Sequence, residues 1–255
     1  MRTIAILNLK GGVAKTTTVI NTASILAEDY KQRVLLIDAD SQCNLTEFFS
    51  DGKPYCGDTL ADILRGYTWP VEKALHPVGP GMSLTIIPAS ETLMDLDLTK
   101  AESGEVNVKI LKDCLNEVQD DYDYCLIDCP PAFNAASAAA LIAADEVIIP
   151  IKLDAFSLRG MVNLFRQIKN MRAINSKIWV TGCLPTMYYN SKSLTEAVEV
   201  LKKNGLHVFS PIRRSNKVDE MTFAQEALNT FSPRSAAGLD YRTFVKELVG
   251  GVNNG

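Results

Sequence analysis

The chain has 255 residues, of which 47% are hydrophobic and 22% charged, with a formal net charge of −4. This composition fits one globular α/β domain over residues 1–255 with a substantial core, and it requires no disordered segment. No apolar run approaches the roughly 20 residues of a membrane span, and the first residues lead directly into a strand pattern, so we expect a cytoplasmic protein without a signal peptide.

The first predicted elements are a buried strand, Arg2 to Leu7, and a helix, Thr18 to Glu28, joined by a glycine-containing turn. Such a turn leaves consecutive backbone N–H groups free at a helix N-terminus, where the helix dipole also favours negative charge. The pattern therefore predicts a phosphate-binding loop. The residues expected to bind the nucleotide there are Lys10, Gly11, Gly12, Val13, Ala14, Lys15, Thr16 and Thr17.

Within this loop the two glycines permit close approach of a ligand, Lys15 can reach terminal phosphates, and the Thr16 hydroxyl suits a Mg²⁺ ligand. The strict pattern G-x-x-x-x-G-K-[ST] fails twice, because Leu9 and Ala14 stand where glycines belong. What remains is a variant of the pattern that begins with Lys10. A chance basic turn is the alternative, and it leaves the strand and helix on either side unexplained.

The segment Lys10 to Thr17 resembles the deviant Walker A motif of the ParA/MinD family of ATPases, and Lys10 falls on the family's signature lysine. In this family that lysine crosses a dimer interface to contact the phosphates bound by the partner subunit. The resemblance thus implies an ATP-dependent homodimer and catalytic roles for Lys10 and Lys15. Ala14 replaces the commoner glycine; we expect little cost, provided that it keeps a negative φ.

The next predicted strand, Arg33 to Ile37, ends in Asp38 and Asp40. Open α/β sheets bind ligands at the carboxyl ends of their strands, and carboxylates two residues apart on an extended chain share a face. By resemblance this is the family's switch I segment, in which Asp40 orients the attacking water and Asp38 supports Mg²⁺ and its waters. Capping of the following helix is the alternative role for either aspartate.

A second motif is the apolar strand from Tyr124 that ends in Asp128 and is followed by Pro130 and Pro131. It has the Walker B arrangement, in which the carboxylate meets Mg²⁺, usually through water, beside the threonine of the phosphate loop. Alone the signal is weak, because many buried strands end in Asp. After a phosphate loop, and with the Pro-Pro pair of the family's switch II, it becomes strong.

The remaining elements alternate between strand and helix, which predicts a doubly wound α/β fold of the P-loop NTPase type, with a mostly parallel sheet and helices on both faces. The predicted helices are Thr59–Arg65, Val106–Val118, Ala135–Ala144, Ser157–Met171, Ser191–Lys203 and Leu239–Val249, and the strands are Ser83–Pro88, Glu146–Ile151 and Ile178–Leu184.

One third of the chain is strongly basic. From Ala155 to Lys217 there are eleven Lys and Arg against two Glu, a local charge of +9 that leaves −13 for the remainder. A segregated positive face indicates a polyanionic partner, nucleic acid before membrane. The alternative is a set of ordinary solvated helix faces.

Two loops in this segment resemble family loops with basic residues that contact DNA. Lys192 lies at that position in the first loop, and Arg214 and Lys217 in the second, where lysine at the last position replaces a more usual arginine. For contacts to the nucleic-acid backbone the replacement matters little, because a point charge still neutralises a phosphate. The second family loop also lies near the nucleotide base, so Pro211 and Arg213 are expected nucleotide contacts.

The six cysteines are scattered, without a C-x-x-C pair or a nearby histidine, which argues against zinc and against a disulfide scaffold. We expect reduced thiols. An iron–sulfur cluster between subunits, found in some relatives of the family, is the alternative for Cys125 and Cys129. The others are Cys43, Cys56, Cys114 and Cys183.

The tail from Gly250 is short and neutral, unlike the C-terminal basic amphipathic helix that anchors MinD-like members to membranes. The chain is therefore most similar to the short, Soj-like ParA form. This resemblance implies a nucleoid-associated partition ATPase with slow hydrolysis, whose ATP-bound dimer binds nonspecific double-stranded DNA and is stimulated by a ParB-like centromere-binding protein. The alternatives are a MinD-like positioning ATPase at a membrane and a metabolic enzyme, either a cluster-carrying reductase or a P-loop synthetase.

Overall fold

A computed structural model describes residues 1–50, 55, 57–68, 70–78 and 83–251, with the backbone alone for 155, 156, 158 and 159. Cys56, expected to be a reduced thiol, and most of the C-terminal tail, residues 252–255, lie outside the described residues.

Within the described residues the strands form one sheet: β1 (Arg2–Ile6), β2 (Val34–Asp38), β3 (His76–Val78), β4 (Leu84–Ile87), β5 (Tyr124–Asp128), β6 (Glu146–Lys152) and β7 (Trp179–Thr186). Their order is β3-β4-β2-β5-β1-β6-β7, and only the β3–β4 pair is antiparallel among the described strands. The predicted doubly wound α/β fold is confirmed.

The central strands are apolar on both faces because helices cover the sheet on both sides. Along β1, Ile4 and Ile6 belong to one core layer, whereas Ala5 and the following Leu7 belong to the other. This alternation follows from the two-residue period of a strand. It explains why the central strands read as continuous apolar runs rather than as alternating polar and apolar residues.

The described helices divide between the two core layers. Against Ile4 and Ile6 pack α1 (Lys15–Glu28), α2 (Asn44–Phe49), α9 (Asn216–Ala224), α10 (Leu228–Phe231) and α11 (Ala236–Gly250). On the opposite face lie α3 (Leu60–Leu64), α5 (Ile110–Glu117), α6 (Ala135–Ala143), α7 (Ala155–Met171) and α8 (Lys192–Lys203). The exposed α4 (Leu98–Ser103) and two 3₁₀ turns, Val71–Ala74 and Glu91–Asp95, complete the chain.

Several short elements were not predicted from the sequence, and β3 and α9 are two of them. Strand β3 has three residues and lies at the sheet edge, where Pro77 is tolerated because an edge residue needs no ladder donor on its outer side. Helix α9 begins after Ser215, whose side chain accepts a hydrogen bond from the Lys217 N–H. Both elements are too short for hydrophobic periodicity to reveal them.

The C-terminal helix α11 is part of the core. Tyr241, Phe244 and Leu248 are buried on its inner face, and the helix packs against α1. Near its end the Arg2 guanidinium donates a 2.8 Å hydrogen bond to the Leu248 carbonyl. Among the described residues, no helix combines the length and the apolar character that a bilayer crossing requires.

The parallel strands bring their carboxyl ends to one edge of the sheet. Ile6 pairs with Asp128 across β1 and β5, and Asp38 pairs with Asp128 across β2 and β5. The loops that follow β1, β2 and β5 are therefore neighbours, at the edge where sheets of this kind bind ligands.

Candidate active site

The phosphate loop connects the end of β1 to the start of α1 at the centre of the sheet. Asn8 holds its beginning: Nδ2 donates to the Pro150 carbonyl at 2.8 Å, and Oδ1 accepts from the Lys10 N–H at 3.0 Å. Val13 is buried, whereas Gly11 and Gly12 are exposed. The first turn of α1 leaves N–H groups without intrahelical partners, and the exposed glycines give a ligand access to them.

The expectation that Ala14 keeps a negative φ is wrong. Ala14 is the N-cap residue of α1 and has φ 65° and ψ 37°, in the left-handed region. For an L-residue this conformation brings Cβ close to the following carbonyl oxygen and costs roughly 1–2 kcal/mol. Gly12 also has a positive φ of 67°, but glycine adopts it freely. The glycine that the family more often has at position 14 would suit this backbone better.

Ala14→Gly should therefore stabilise the protein, by about 1 kcal/mol, because it relieves the left-handed strain at more than the entropic cost of glycine. Urea unfolding measures the change. The matched control is Ala101→Gly within α4, where helical backbone makes glycine destabilising by roughly 0.5–1 kcal/mol. Destabilisation at both positions would contradict the assigned conformation of Ala14.

The predicted phosphate ligands surround this loop. Lys15 is 7% exposed, and its Nζ lies 3.4 Å from the Lys10 carbonyl oxygen, so the ammonium group folds back over the loop. Thr16 and Thr17 are half-buried and line a cavity of about 420 Å³ together with Glu47 of α2. The loop thus joins a buried cation to a row of backbone donors, which together can hold the phosphates of a nucleotide.

The side chains expected to support Mg²⁺ meet beside the loop. The Thr16 hydroxyl donates to Asp128 Oδ2 at 2.6 Å, and Asp128 Oδ1 is buried with no hydrogen-bond partner among the residues that the structure describes. A buried carboxylate oxygen left unpaired is costly, and hard oxygen donors are the groups that Mg²⁺ prefers. Thr16 and Asp128 therefore fit the ion.

The pKa of Asp128 also indicates that a cation would be favourable beside it. Burial raises the pKa of Asp128 well above its ordinary value, and the charge of neighbouring Asp38 raises it further, against smaller effects of Thr16 and Lys15. A bound cation would offset both, because it favours the charged form of the carboxylate.

The Asp38 carboxylate makes several hydrogen bonds within the fold that the sequence did not indicate. Its Oδ2 accepts hydrogen bonds from both the backbone N–H and the hydroxyl of Thr46, at 2.8 and 2.7 Å, and Oδ1 accepts from the Asp40 N–H at 3.1 Å. Burial raises the pKa of Asp38 to about 6, although these bonds counteract the rise. Any support of Mg²⁺ by Asp38 is therefore constrained by its bonds to α2.

Asp40 occupies a different position. It is 9% exposed, and Oδ1 accepts from the Gln42 N–H at 3.0 Å, which fixes the turn after β2. The N-cap position of α2 is held by Cys43, whose φ of 55° is also left-handed. Neither aspartate is therefore the N-cap residue, although Asp38 accepts the Thr46 N–H in the first turn of that helix.

The signature lysine has partners that the sequence did not reveal. Lys10 Nζ lies 2.6 Å from Asp154 Oδ2 and 3.0 Å from the Ser157 hydroxyl. Asp154 is the N-cap of α7 and also accepts from the Ser157 N–H at 2.8 Å. The bond from Lys10 lowers the pKa of Asp154 to about 2. The cap signal could have been found in the sequence, but its contact with Lys10 spans 144 residues.

A second cavity, of about 270 Å³, adjoins the loop at Ala14. It is lined by Thr186, Tyr241 and the loop from Ile212 to Asn216, so it can hold the nucleoside part of a nucleotide. Other lining residues are Lys152, Met187, Tyr189, Val218 and Asp219.

The two nucleotide contacts expected in that loop differ. Arg213 lines the cavity, but its guanidinium is held in bidentate contact by Asp240, with a shortest distance of 2.7 Å. Pro211 lines a separate cavity between β7, α8 and α11. Arg213 therefore remains a predicted nucleotide contact at the wall of this cavity, whereas Pro211 lies at the other one.

The predicted DNA-binding residues are exposed to solvent. Lys192 has a side chain that is 91% exposed, with Glu196 at 3.9 Å, and Arg214 is exposed beside the cavity. Lys217 is more engaged, because its ammonium group lies 2.5 Å from Glu220 and 5.9 Å from the centre of the Phe231 ring.

The two basic loops form one unit. Tyr188 in the first loop donates its N–H to the Ile212 carbonyl at 2.9 Å, and Arg214 in the second donates its N–H to the Tyr188 carbonyl at 2.9 Å. Both loops also line the nucleoside cavity. The backbone that carries the exposed Arg214 therefore also forms part of the cavity wall.

The cysteines considered for an iron–sulfur cluster are inaccessible. Cys125 and Cys129 are fully buried on and next to β5, and burial raises the pKa of both thiols. Neither could reach a partner subunit without unfolding the sheet. Among the described residues, no group of three or more His, Cys, Asp or Glu is placed to hold a metal ion by itself.

Comparison with known proteins agrees with this geometry. Residues 1–180 match the AAA domain family. The chain is 33% identical to the chromosome partitioning protein ParA of Caulobacter vibrioides over 255 residues, 98% of this chain and 94% of that protein.

Two solved structures extend the similarity. McdA of Cyanothece, also solved with ATP, superposes with a TM-score of 0.85 at 25% identity, covering 98% of this chain and 100% of that one. Cobyrinic acid a,c-diamide synthase from Mycobacterium smegmatis, with bound ADP and magnesium, superposes with a TM-score of 0.79 at 29% identity, covering 98% and 94%.

Proposed function

The chain belongs to the ParA/MinD-type family of P-loop ATPases and uses ATP and Mg²⁺, and from this premise we propose that it is a DNA-segregation ATPase acting in plasmid or chromosome partition. The observation that carries the proposal is the union of the two basic loops with the nucleoside cavity. Because Arg214 and the cavity lining lie on one stretch of backbone, nucleotide binding can alter how the exposed cations are presented.

In the proposed mechanism the chain works mainly by positioning and charge neutralisation. Backbone N–H groups of the phosphate loop and Lys15 hold the phosphates, and Asp40 orients the attacking water. Thr16 and Asp128 would hold Mg²⁺, and the ion would supply positive charge against the phosphates. Asp38 acts through the backbone of the same turn, where it holds Asp40 and Thr46.

Assembly completes the site in this proposal. In a homodimer Lys10 of one subunit contacts the phosphates bound by the other, and the two basic surfaces lie on one side of the assembly. Nonspecific double-stranded DNA then binds to the ATP-bound dimer, which makes the protein nucleoid-associated. Hydrolysis, stimulated by a ParB-like centromere-binding protein, returns the subunits to the monomeric state.

DNA titrations with ATP, with ADP and without nucleotide test this proposal. We expect tight binding only with ATP. Replacing Lys192 or Arg214 with Ala should lower the magnitude of the slope of log affinity against log salt by about 0.9 per contact, or about two in a dimer. Lys217→Ala should have a smaller effect, because Lys217 already pairs with Glu220.

The matched control is Lys109→Ala, an exposed lysine at the start of α5 and outside the basic third. Its salt slope should remain that of the wild type. Equal losses at Lys109, Lys192 and Arg214 would mean that only total charge matters. Equal DNA affinity with ATP, with ADP and without nucleotide would contradict the proposed nucleotide switch.

The alternatives predict different results. A MinD-like positioning ATPase would sediment with anionic lipid vesicles in the presence of ATP and would bind DNA weakly. Against it, the apolar face of α11 is already packed in the core, around Phe244 and Leu248. A P-loop synthetase would show ATP turnover that depends on a small acceptor molecule and does not respond to DNA.

A further inference from the structure

A chain of buried hydroxyl groups connects the C-terminal helix α11 to the phosphate loop. The Thr18 hydroxyl donates to the Ala14 carbonyl at 2.7 Å, and the Tyr241 hydroxyl lies 3.4 Å from Thr18 Oγ1. A threonine hydroxyl has one hydrogen, and Thr18 uses it on Ala14, so Tyr241 is the donor of the second bond. Thr18 is 0% and Tyr241 1% exposed, which keeps water from competing for either bond.

This series of hydroxyl groups ends at Ala14, the strained residue of the phosphate loop. Ala14 is held in the left-handed region, where alanine is unfavourable, and its carbonyl accepts both the Thr18 hydroxyl and the Thr18 N–H, the latter at 3.0 Å. A second contact holds the preceding residue, because the Thr186 hydroxyl donates to the Val13 carbonyl at 3.2 Å. The consecutive carbonyls of Val13 and Ala14 are thus both held by side-chain hydroxyl groups of the protein.

The other end of this series of hydroxyl groups, Tyr241, lies at the nucleoside cavity. Tyr241, Thr186 and Ala14 all line it, so the side chains that hold the loop also form the cavity wall. Burial raises the pKa of Tyr241, and the hydroxyl therefore remains a donor at neutral pH.

We propose that Tyr241 is a positioning residue for ATP, which acts through Thr18 to hold Ala14 in the left-handed conformation that the phosphate loop needs. This proposal rests on the proposed assignment of the loop to the nucleotide phosphates. Tyr241 also links the cavity to the loop, because the same residue borders the cavity and reaches Thr18 with its hydroxyl. Hydrogen bonds in series reinforce each other, so loss of the first donor weakens the second bond.

Tyr241→Phe tests the proposal, because it keeps the ring and removes only the hydroxyl. By calorimetric titration with Mg²⁺ and ATP, we expect the affinity to fall about threefold to tenfold, the range for one lost hydrogen bond. Thr18→Val should produce a similar loss, whereas Thr18→Ser keeps the hydroxyl and should bind as the wild type does. The double variant Tyr241→Phe, Thr18→Val should lose less than the product of the two single losses.

The chain provides a matched control in Tyr188, whose hydroxyl lies 3.4 Å from a threonine hydroxyl, that of Thr195, on the exposed surface. Tyr188→Phe should leave ATP affinity unchanged. In an Ala14→Gly background, glycine adopts the left-handed conformation without strain, so the effect of Tyr241→Phe should shrink to less than twofold.

Wild-type affinity in Tyr241→Phe, or an equal loss with and without the Ala14→Gly substitution, would overturn the proposal. Failure of the underlying nucleotide assignment would appear elsewhere, as unchanged ATP affinity in Lys15→Ala. Failure of the DNA-segregation role would leave these ATP titrations as expected and would appear only in the DNA titrations.

Discussion

Replacing Asp40 with Ala is expected to reduce ATP turnover by a factor of about 100 or more while leaving ATP affinity within about twofold of the wild type. The carboxylate is 9% exposed and follows β2, the strand that pairs with the Asp128 strand. The change removes the group proposed to orient the attacking water, and it leaves the phosphate loop intact. Phosphate release in a single turnover measures the chemical step, and calorimetry measures binding.

Two further variants separate orientation of water from support of the turn. Asp40→Asn keeps an oxygen that can accept from the Gln42 N–H but removes the charge, so it should retain the fold and still lose turnover. Asp38→Asn should instead lower stability, because both oxygens of Asp38 accept hydrogen bonds in the core. Normal turnover in Asp40→Ala would leave Asp40 with a structural role only.

Lys10→Ala should abolish ATP-dependent dimerisation and stimulated turnover, while the monomer still binds ATP. The reason is that Lys10 is proposed to complete the partner's site, whereas Lys15 and the loop backbone hold the nucleotide of its own subunit. Light scattering with ATP measures the assembly, and calorimetry measures binding. An ATP-dependent dimer of normal affinity in Lys10→Ala would refute the role across the interface.

Asp154→Asn is the informative companion to this change. Lys10 must leave Asp154 to reach a partner, and an exposed ion pair of this kind stabilises by roughly 0.2–1 kcal/mol. Its removal should strengthen dimerisation by up to about fivefold for each subunit, or up to about thirtyfold for the dimer, in which two such pairs are broken. Asparagine is also a good N-cap residue, so α7 should remain capped. Weaker dimerisation in Asp154→Asn would mean that the pair helps assembly rather than opposing it.

Much of the candidate site could be predicted from short stretches of sequence. The phosphate loop is a single strand–turn–helix segment, and the predicted strand Tyr124 to Asp128 is identical to β5. Helix starts were also readable: Ser191, at which the predicted helix begins, occupies the N-cap of α8, although its side chain makes no capping bond within the described residues. These features depend on residues close together in the chain, so composition and spacing are sufficient to reveal them.

The strained backbone at position 14 could not be predicted from the sequence. Whether position 14 has a positive φ depends on how the loop closes between Asn8, which is bonded to β6, and the first turn of α1. The sequence indicated only that alanine replaces the more usual glycine, and the expectation of a negative φ was wrong for that reason.

By itself, then, the sequence determined the fold class, the phosphate loop, the carboxylates at the strand ends and the basic third of the chain. The tertiary structure decided which of these groups meet. Lys10 reaches Asp154 across 144 residues, Tyr241 reaches Thr18 across 223, and Arg213 is bound by Asp240 across 27. Such pairs follow from the packing of distant helices on a common sheet edge, and hydrophobic periodicity, which records only which face of an element is buried, contains no information about them.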